Sequence, residues 1–109
     1  MDMTKVATYE GAAIPGSEIQ DAADDAMSEI LGDPACRAEL LRYGLDEEEL
    51  RGFKFTVEQE PGIVPGVILI AILYPAAGQL TADGVKALWG MTLRRIKKKK
   101  GGDALGEER

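Results

Sequence analysis

A chain of 109 residues with 45% hydrophobic and 29% charged side chains can build one ordinary hydrophobic core and is too apolar to be disordered. Nineteen acids against 13 Lys and Arg give a net charge of −6, and the absence of histidine removes the commonest general base, pH switch and metal ligand together. The single cysteine, Cys36, excludes an intramolecular disulfide, and no charged head followed by an apolar core opens the chain, so the cytoplasm is the expected compartment.

In chain order, Lys5 to Tyr9 reads as a short strand and Gly11 to Gly16 as a loop. Ser17 with Gln20 has the form of a capping box, from which a helix is expected. Ile19, Ala22, Ala23, Ala26, Met27, Ile30 and Leu31 then share one side of that helix, the acids take the other, and Gly32 ends it. Asp33-Pro34 restarts a second helix to about Tyr43, with Gly44 suited to a left-handed stop and Leu45 to the apolar contact that accompanies it. Asp46 and Glu49 frame a short acidic turn that closes at Gly52.

Phe53 to Glu58 alternates apolar and polar residues, the pattern of a half-buried strand near an edge. After a loop marked by Pro61-Gly62 and Pro65-Gly66 come eight apolar residues in a row, Val67 to Tyr74, closed by Pro75. A strand with one wet face would alternate, so this one is expected to be central and covered on both faces. Its connection to the preceding strand is too short for a crossover helix, which predicts antiparallel pairing. A membrane span over Ile63 to Gly78 falls short of the roughly 20 residues required, and Pro65 and Pro75 would break its helix. After the Ala76-Ala77-Gly78 connection, Thr81 caps a last helix with an apolar stripe of Val85, Leu88, Trp89, Leu93 and Ile96, stopped at Gly101-Gly102. The expected architecture is α+β: a small antiparallel sheet of two to three strands, an N-terminal helical pair and a long C-terminal amphipathic helix. It is one small globular domain over residues 1–102, with 103–109 a flexible tail.

No catalytic constellation can be assembled. Asp21, Asp24 and Asp25 sit three and four apart on one helix but lack the loop and turn of a hard-cation site, so no metal or other cofactor is expected. Cys36 stands near a helix start, where a thiol pKa can fall; without a histidine base it reads as a small buried side chain. No glycine cluster joins a strand to a helix as a phosphate loop does. Charge is segregated instead: residues 86–102 carry seven Lys or Arg and no acid, while residues 1–85 carry five against sixteen acids. The cluster Arg94, Arg95, Lys97, Lys98, Lys99 and Lys100 is suited to protein acids, anionic lipid or phosphates. Glu47, Glu48 and Glu49 are suited to a basic partner, and Ile68, Ile70 and Ile72 to whatever covers the second face of the apolar strand.

The expected function is therefore a small non-enzymatic interaction or assembly module, an accessory protein that associates with itself as a homo-oligomer or with a dedicated protein partner. The alternatives are a peripheral membrane protein using the polybasic helix end and a nucleic-acid-binding accessory protein, the second disfavoured by the acidic body. The order Tyr43-Gly44-Leu45, Leu73-Tyr74-Pro75, Leu80-Thr81, Gly101-Gly102 is similar in outline to nitrile-hydratase-type leader regions that precede ribosomal peptide products. The segment after Gly102 holds no Cys, Ser or Thr, from which such products are built, and the resemblance assigns no residue a role.

Overall fold

In the structure, a computed structural model describing residues 2–59, 67–75 and 80–109, the apolar run forms one strand with a neighbour on each side. The elements are β1 (Asp2–Glu10), α1 (Gly16–Leu31), α2 (Pro34–Leu41), α3 (Glu47–Arg51), β2 (Lys54–Gln59), β3 (Val67–Tyr74), α4 (Ala82–Lys100) and β4 (Glu107–Glu108). Among the described residues they make an α+β fold with four helices and one antiparallel sheet in the order β2-β3-β1-β4. The Pro-Gly loop over 61–66 and the connection at 76–78 lie outside the described residues.

The sheet has four strands where two to three were expected. β1 runs nine residues and pairs along β3 from Asp2 opposite Tyr74 to Glu10 opposite Val67, with a bulge between Lys5 and Ala7. β4 comes from the segment read as a loose tail. Ala104 and Leu105 are fully buried, the Ala13 N–H donates to the Ala104 carbonyl at 3.0 Å, and Glu107 and Glu108 pair with Glu10 and Tyr9. Gly106 makes this possible: its φ is +83°, and a Cβ there would overlap the Glu10 carbonyl oxygen.

α1 begins at Gly16 with Pro15 in the capping position and no side-chain cap, so the expected Ser17–Gln20 capping box does not form. Gln20 is engaged by β2 instead. The other caps follow the sequence. Asp33 accepts from the Ala35 N–H at 2.9 Å, Asp46 from the Glu49 N–H at 2.7 Å and Thr81 from the Gly84 N–H at 3.0 Å. Gly44, at φ +81°, turns the chain after α2 so that the Leu45 N–H reaches the Leu40 carbonyl and the Leu45 side chain is fully buried.

α1 packs against α4 and β2, α2 lies on α1 and α4, and α3 touches α1. The alanines Ala22, Ala23 and Ala26 give α1 a shallow face, so Leu88, Trp89 and Ile96 of α4 come close to it. Trp89 is central: its ring meets Phe55 edge-on at 5.0 Å between centroids and lies 6.3 Å from Tyr9. Among the described residues no helix is long and apolar enough to cross a membrane.

Candidate interaction surface

Strand alternation divides the sheet into two unlike faces. On the helix side, Phe55 lies opposite Ile72, Val57 opposite Ile70, and Ile68 opposite Tyr9. Ile68, Ile70 and Ile72 are fully buried in the core with Leu88, Trp89 and Ile96. They are therefore core residues of this chain, and the face that needs a second cover is one residue out of step with them.

That face carries Val67, Leu69, Ala71 and Leu73, flanked by alternate residues of β1 and β2. The register lines them up in cross-strand rows: Lys54–Leu73–Met3, then Thr56–Ala71–Lys5, then Glu58–Leu69–Thr8, with Val67–Glu10 at the far end. The Thr56 hydroxyl lies 3.9 Å from Met3 Sδ, which confirms that both stand on this side. Val67, Leu69 and Leu73 are only half-buried and Met3 is 58% exposed, in contrast to the isoleucines that alternate with them. The helix contacts of the sheet run from α1 to β2 and from α4 to β1, on the isoleucine side. The charges on this face are polarised along the strands: Lys54 and Lys5 occupy one half, Glu58 and Glu10 the other.

The outer edge of β2 is closed by a side chain. The Gln20 amide donates to the Phe55 carbonyl at 2.8 Å and accepts from the Val57 N–H at 2.9 Å, so one carboxamide replaces the peptide group of a missing fifth strand. Gln59 extends the closure by accepting from the Gly16 N–H at 3.3 Å. Such plugs keep an edge strand from pairing with other chains. At the opposite side the Trp89 indole N–H donates to Tyr9 Oη at 2.9 Å and the Tyr9 hydroxyl to Glu108 at 3.3 Å, joining α4, β1 and β4. Burial pushes the Tyr9 phenol above its ordinary range, so it stays neutral.

The basic end of α4 is partly spent within the chain. Lys99 binds Glu29 at 2.8 Å, and Arg95 reaches Asp33 at 3.5 Å and Glu29 at 3.9 Å, clasping α4 to the end of α1. The Lys99 hydrogen bond holds the Glu29 carboxyl below the usual range, and the Ala35 N–H does the same for Asp33. Arg94, Lys97, Lys98 and Lys100 are exposed and form no ion pair among the described residues. Glu47 is held by Arg51 at 2.9 Å and Arg37 at 3.5 Å, Glu48 is exposed and Glu49 half-buried, so the three acids do not converge. Cys36, expected to be buried, is half-buried, with Sγ accepting from Arg95 at 3.3 Å and donating to Asp33 at 3.5 Å. Asp24 accepts from Gln20, and among the described residues no three potential ligands converge on a metal position.

Two features escaped the sequence reading. The leucines at alternate positions of β3 were indistinguishable from the isoleucines because both sets are apolar; the alternation of Phe55 and Val57 with Lys54, Thr56 and Glu58, carried across the pairing, would have separated them. Gln20 carried a misleading signal, that of a capping-box partner for Ser17, and nothing in the sequence pointed it at β2. Comparison with protein-family models, with curated proteins and with solved structures gives no match for this chain, so what the surface does rests on its own geometry.

Proposed function

We propose that the protein is a non-enzymatic assembly module that pairs with a second copy of itself through the open face of its sheet. One observation carries this reading: half-buried Val67, Leu69 and Leu73, with Ala71 buried among them and exposed Met3 beside them, have no helix over them among the described residues, while Ile68, Ile70 and Ile72 on the opposite face of the same strand are fully buried. Isolated surface leucines need no explanation, but a continuous apolar stripe with a polar rim marks a contact surface.

The charge pattern supports a second copy and selects its orientation. A two-fold axis lying in the interface and across the strands turns β2 over β2 with its direction reversed. Lys54 of each copy then faces the Glu58 end of the other, and Lys5 lies toward the carboxylate half. An axis along the strands would set lysine on lysine. Three strands spaced about 4.8 Å apart, with eight residues rising about 3.3 Å each in β3, give a footprint of about 400 Å². Over both copies that is about 800 Å², below the standard size of specific interfaces, and implies a weak, dissociable dimer.

Sedimentation equilibrium on the full chain tests this. A monomer–dimer equilibrium is expected, and Leu69→Glu is expected to leave a folded monomer. Lys54→Glu should weaken the dimer about tenfold, and Lys54→Glu combined with Glu58→Lys should restore it. A wild-type chain that stays monomeric up to about 1 mM, or a double reversal that binds no better than the single one, would sink the proposal.

A second reading rests on Arg94, Lys97, Lys98 and Lys100, the exposed cations at the end of α4. Together they suit an anionic membrane surface. Flotation with vesicles of phosphatidylserine against vesicles of phosphatidylcholine separates it from the first, since Leu69→Glu leaves these cations untouched.

A further inference from the structure

The two edges of the sheet are treated differently. β2 is closed along its outer side by Gln20, but β1 is covered only at one end, where β4 pairs with Tyr9 and Glu10 and the Arg109 N–H donates to the Thr8 carbonyl at 2.8 Å. From Ala7 back to Asp2, β1 has no described strand on that side. Between this open edge and α4 runs a groove of about 480 Å³, with Val6, Trp89 and Leu93 among its apolar walls and Lys5 and Lys86 at its rim.

Gly90 lies in this groove, in the interior of the nineteen-residue helix α4. Glycine is the poorest ordinary residue for a helix interior, so a helix that carries one without need is weakened for nothing. Among the described residues nothing supplies that need. The backbone at Gly90 is ordinary helix, and a Cβ added there would meet nothing within 4 Å. What the glycine does is leave α4 bare where it faces the open edge of β1.

We infer that this groove is a strand-addition site: an extended segment of a partner protein lies along Lys5–Ala7 in line with β4, with an apolar side chain seated over Gly90. Backbone pairing to β1 provides the hold, and the wall of Val6, Trp89 and Leu93 selects apolar residues at alternate positions. Charge selects the rest. Arg109 is paired with Glu10, which leaves Lys5 and Lys86 against Glu108 around the groove, in a chain whose net charge is −6, so the segment that fits carries carboxylates between its apolar residues. This groove shares Lys5 and Thr8 with the margin of the open face but not Leu69, so Leu69→Glu, which blocks self-association, leaves its walls intact and separates the two readings.

The probe is a fluorescein-labelled synthetic heptapeptide of alternating valine and glutamate, with a valine–lysine heptapeptide as its control, titrated into the full chain carrying Leu69→Glu to hold it monomeric. The valine–glutamate peptide is expected to raise anisotropy and to slow exchange of the Lys5 to Ala7 amides, and the valine–lysine peptide to do neither. Gly90→Leu should weaken binding about tenfold by filling the seat, and Lys86→Glu about threefold. Gly90→Ala should melt at a higher temperature than its parent. Binding that is indifferent to Gly90→Leu, amide protection on β2 in place of β1, no anisotropy change up to about 1 mM peptide, or a lower melting temperature for Gly90→Ala would each overturn the inference.

Discussion

At the scale of single residues, the most consequential positions are the ones that satisfy backbone and ring donors away from water. Trp89 donates its indole N–H to Tyr9, and both residues are buried. Tyr9→Phe keeps the ring and removes the acceptor, leaving a buried donor unpaired, and is expected to cost about 1–3 kcal/mol in urea unfolding. Gln20 presents a different case. Gln20→Leu preserves helix propensity but strips partners from the Phe55 carbonyl and the Val57 N–H, and it reopens an edge strand. The expected result is a lower midpoint together with concentration-dependent aggregation near that midpoint, followed by light scattering. Gln20 shows why some of the site was illegible: a side chain that substitutes for a strand is recognisable only once the strand it caps is in place.

At the scale of elements, legibility tracked how far each segment determines its own conformation. β3 could be read to the residue because eight apolar residues between Pro-Gly and Pro leave one reading, and α4 because a cap, a stripe and a glycine stop agree. β1 mixes Asp, Lys, Thr and Glu with a few apolar residues, and it is a strand because β3 offers it a partner edge. β4 is two glutamates, whose strand character lies wholly in their backbone pairing to β1. Its anchor is testable: Leu105→Ala removes a fully buried side chain and is expected to cost about 2–5 kcal/mol, whereas a loose tail would show no change. The clasp between α1 and α4 predicts a pH response. Glu29 and Asp33 have folded-state pKa values below their unfolded ones, so their stabilisation is present above the unfolded pKa and fades as pH falls through the folded one. Between about pH 5 and pH 3 the melting temperature should drop. A Glu29→Gln chain, less stable than wild type at pH 7, should converge with it at the acid end, and salt should narrow the gap at pH 7 because these groups are exposed.

At the scale of the whole molecule, the layers are uneven: α1 and α4 lie against one face of the sheet with α2 and α3 packed on them, and the described structure places no helix on the other face. A layered fold is stable when each apolar surface meets another, and here only one of the two surfaces of β3 does so among the described residues. A dimer closed by that surface ties stability to concentration. The melting midpoint is expected to rise as protein concentration is raised across the dissociation constant, and to become independent of concentration in Leu69→Glu. A midpoint that does not move in the wild type would place the cover of that face elsewhere.

The strand order also sets how the chain reaches its native state. β1 precedes the other strands in sequence yet sits inside the sheet, and the contacts that hold it are remote: Thr4 meets Tyr74 across 70 positions, Tyr9 meets Trp89 across 80, and Tyr9 meets Glu108 across 99. β2 and β3 are neighbours in sequence and can pair early, but their hairpin presents the long edge of β3 to solvent until β1 returns to it. Topologies dominated by such distant contacts fold slowly, on the order of milliseconds to seconds, and their half-formed sheets are exposed to other chains meanwhile. Refolding yield should therefore fall steeply with chain concentration even where the native protein is fully soluble. The competitor is bimolecular pairing of β3 edges, and the rate that decides the outcome is the return of the N-terminal strand.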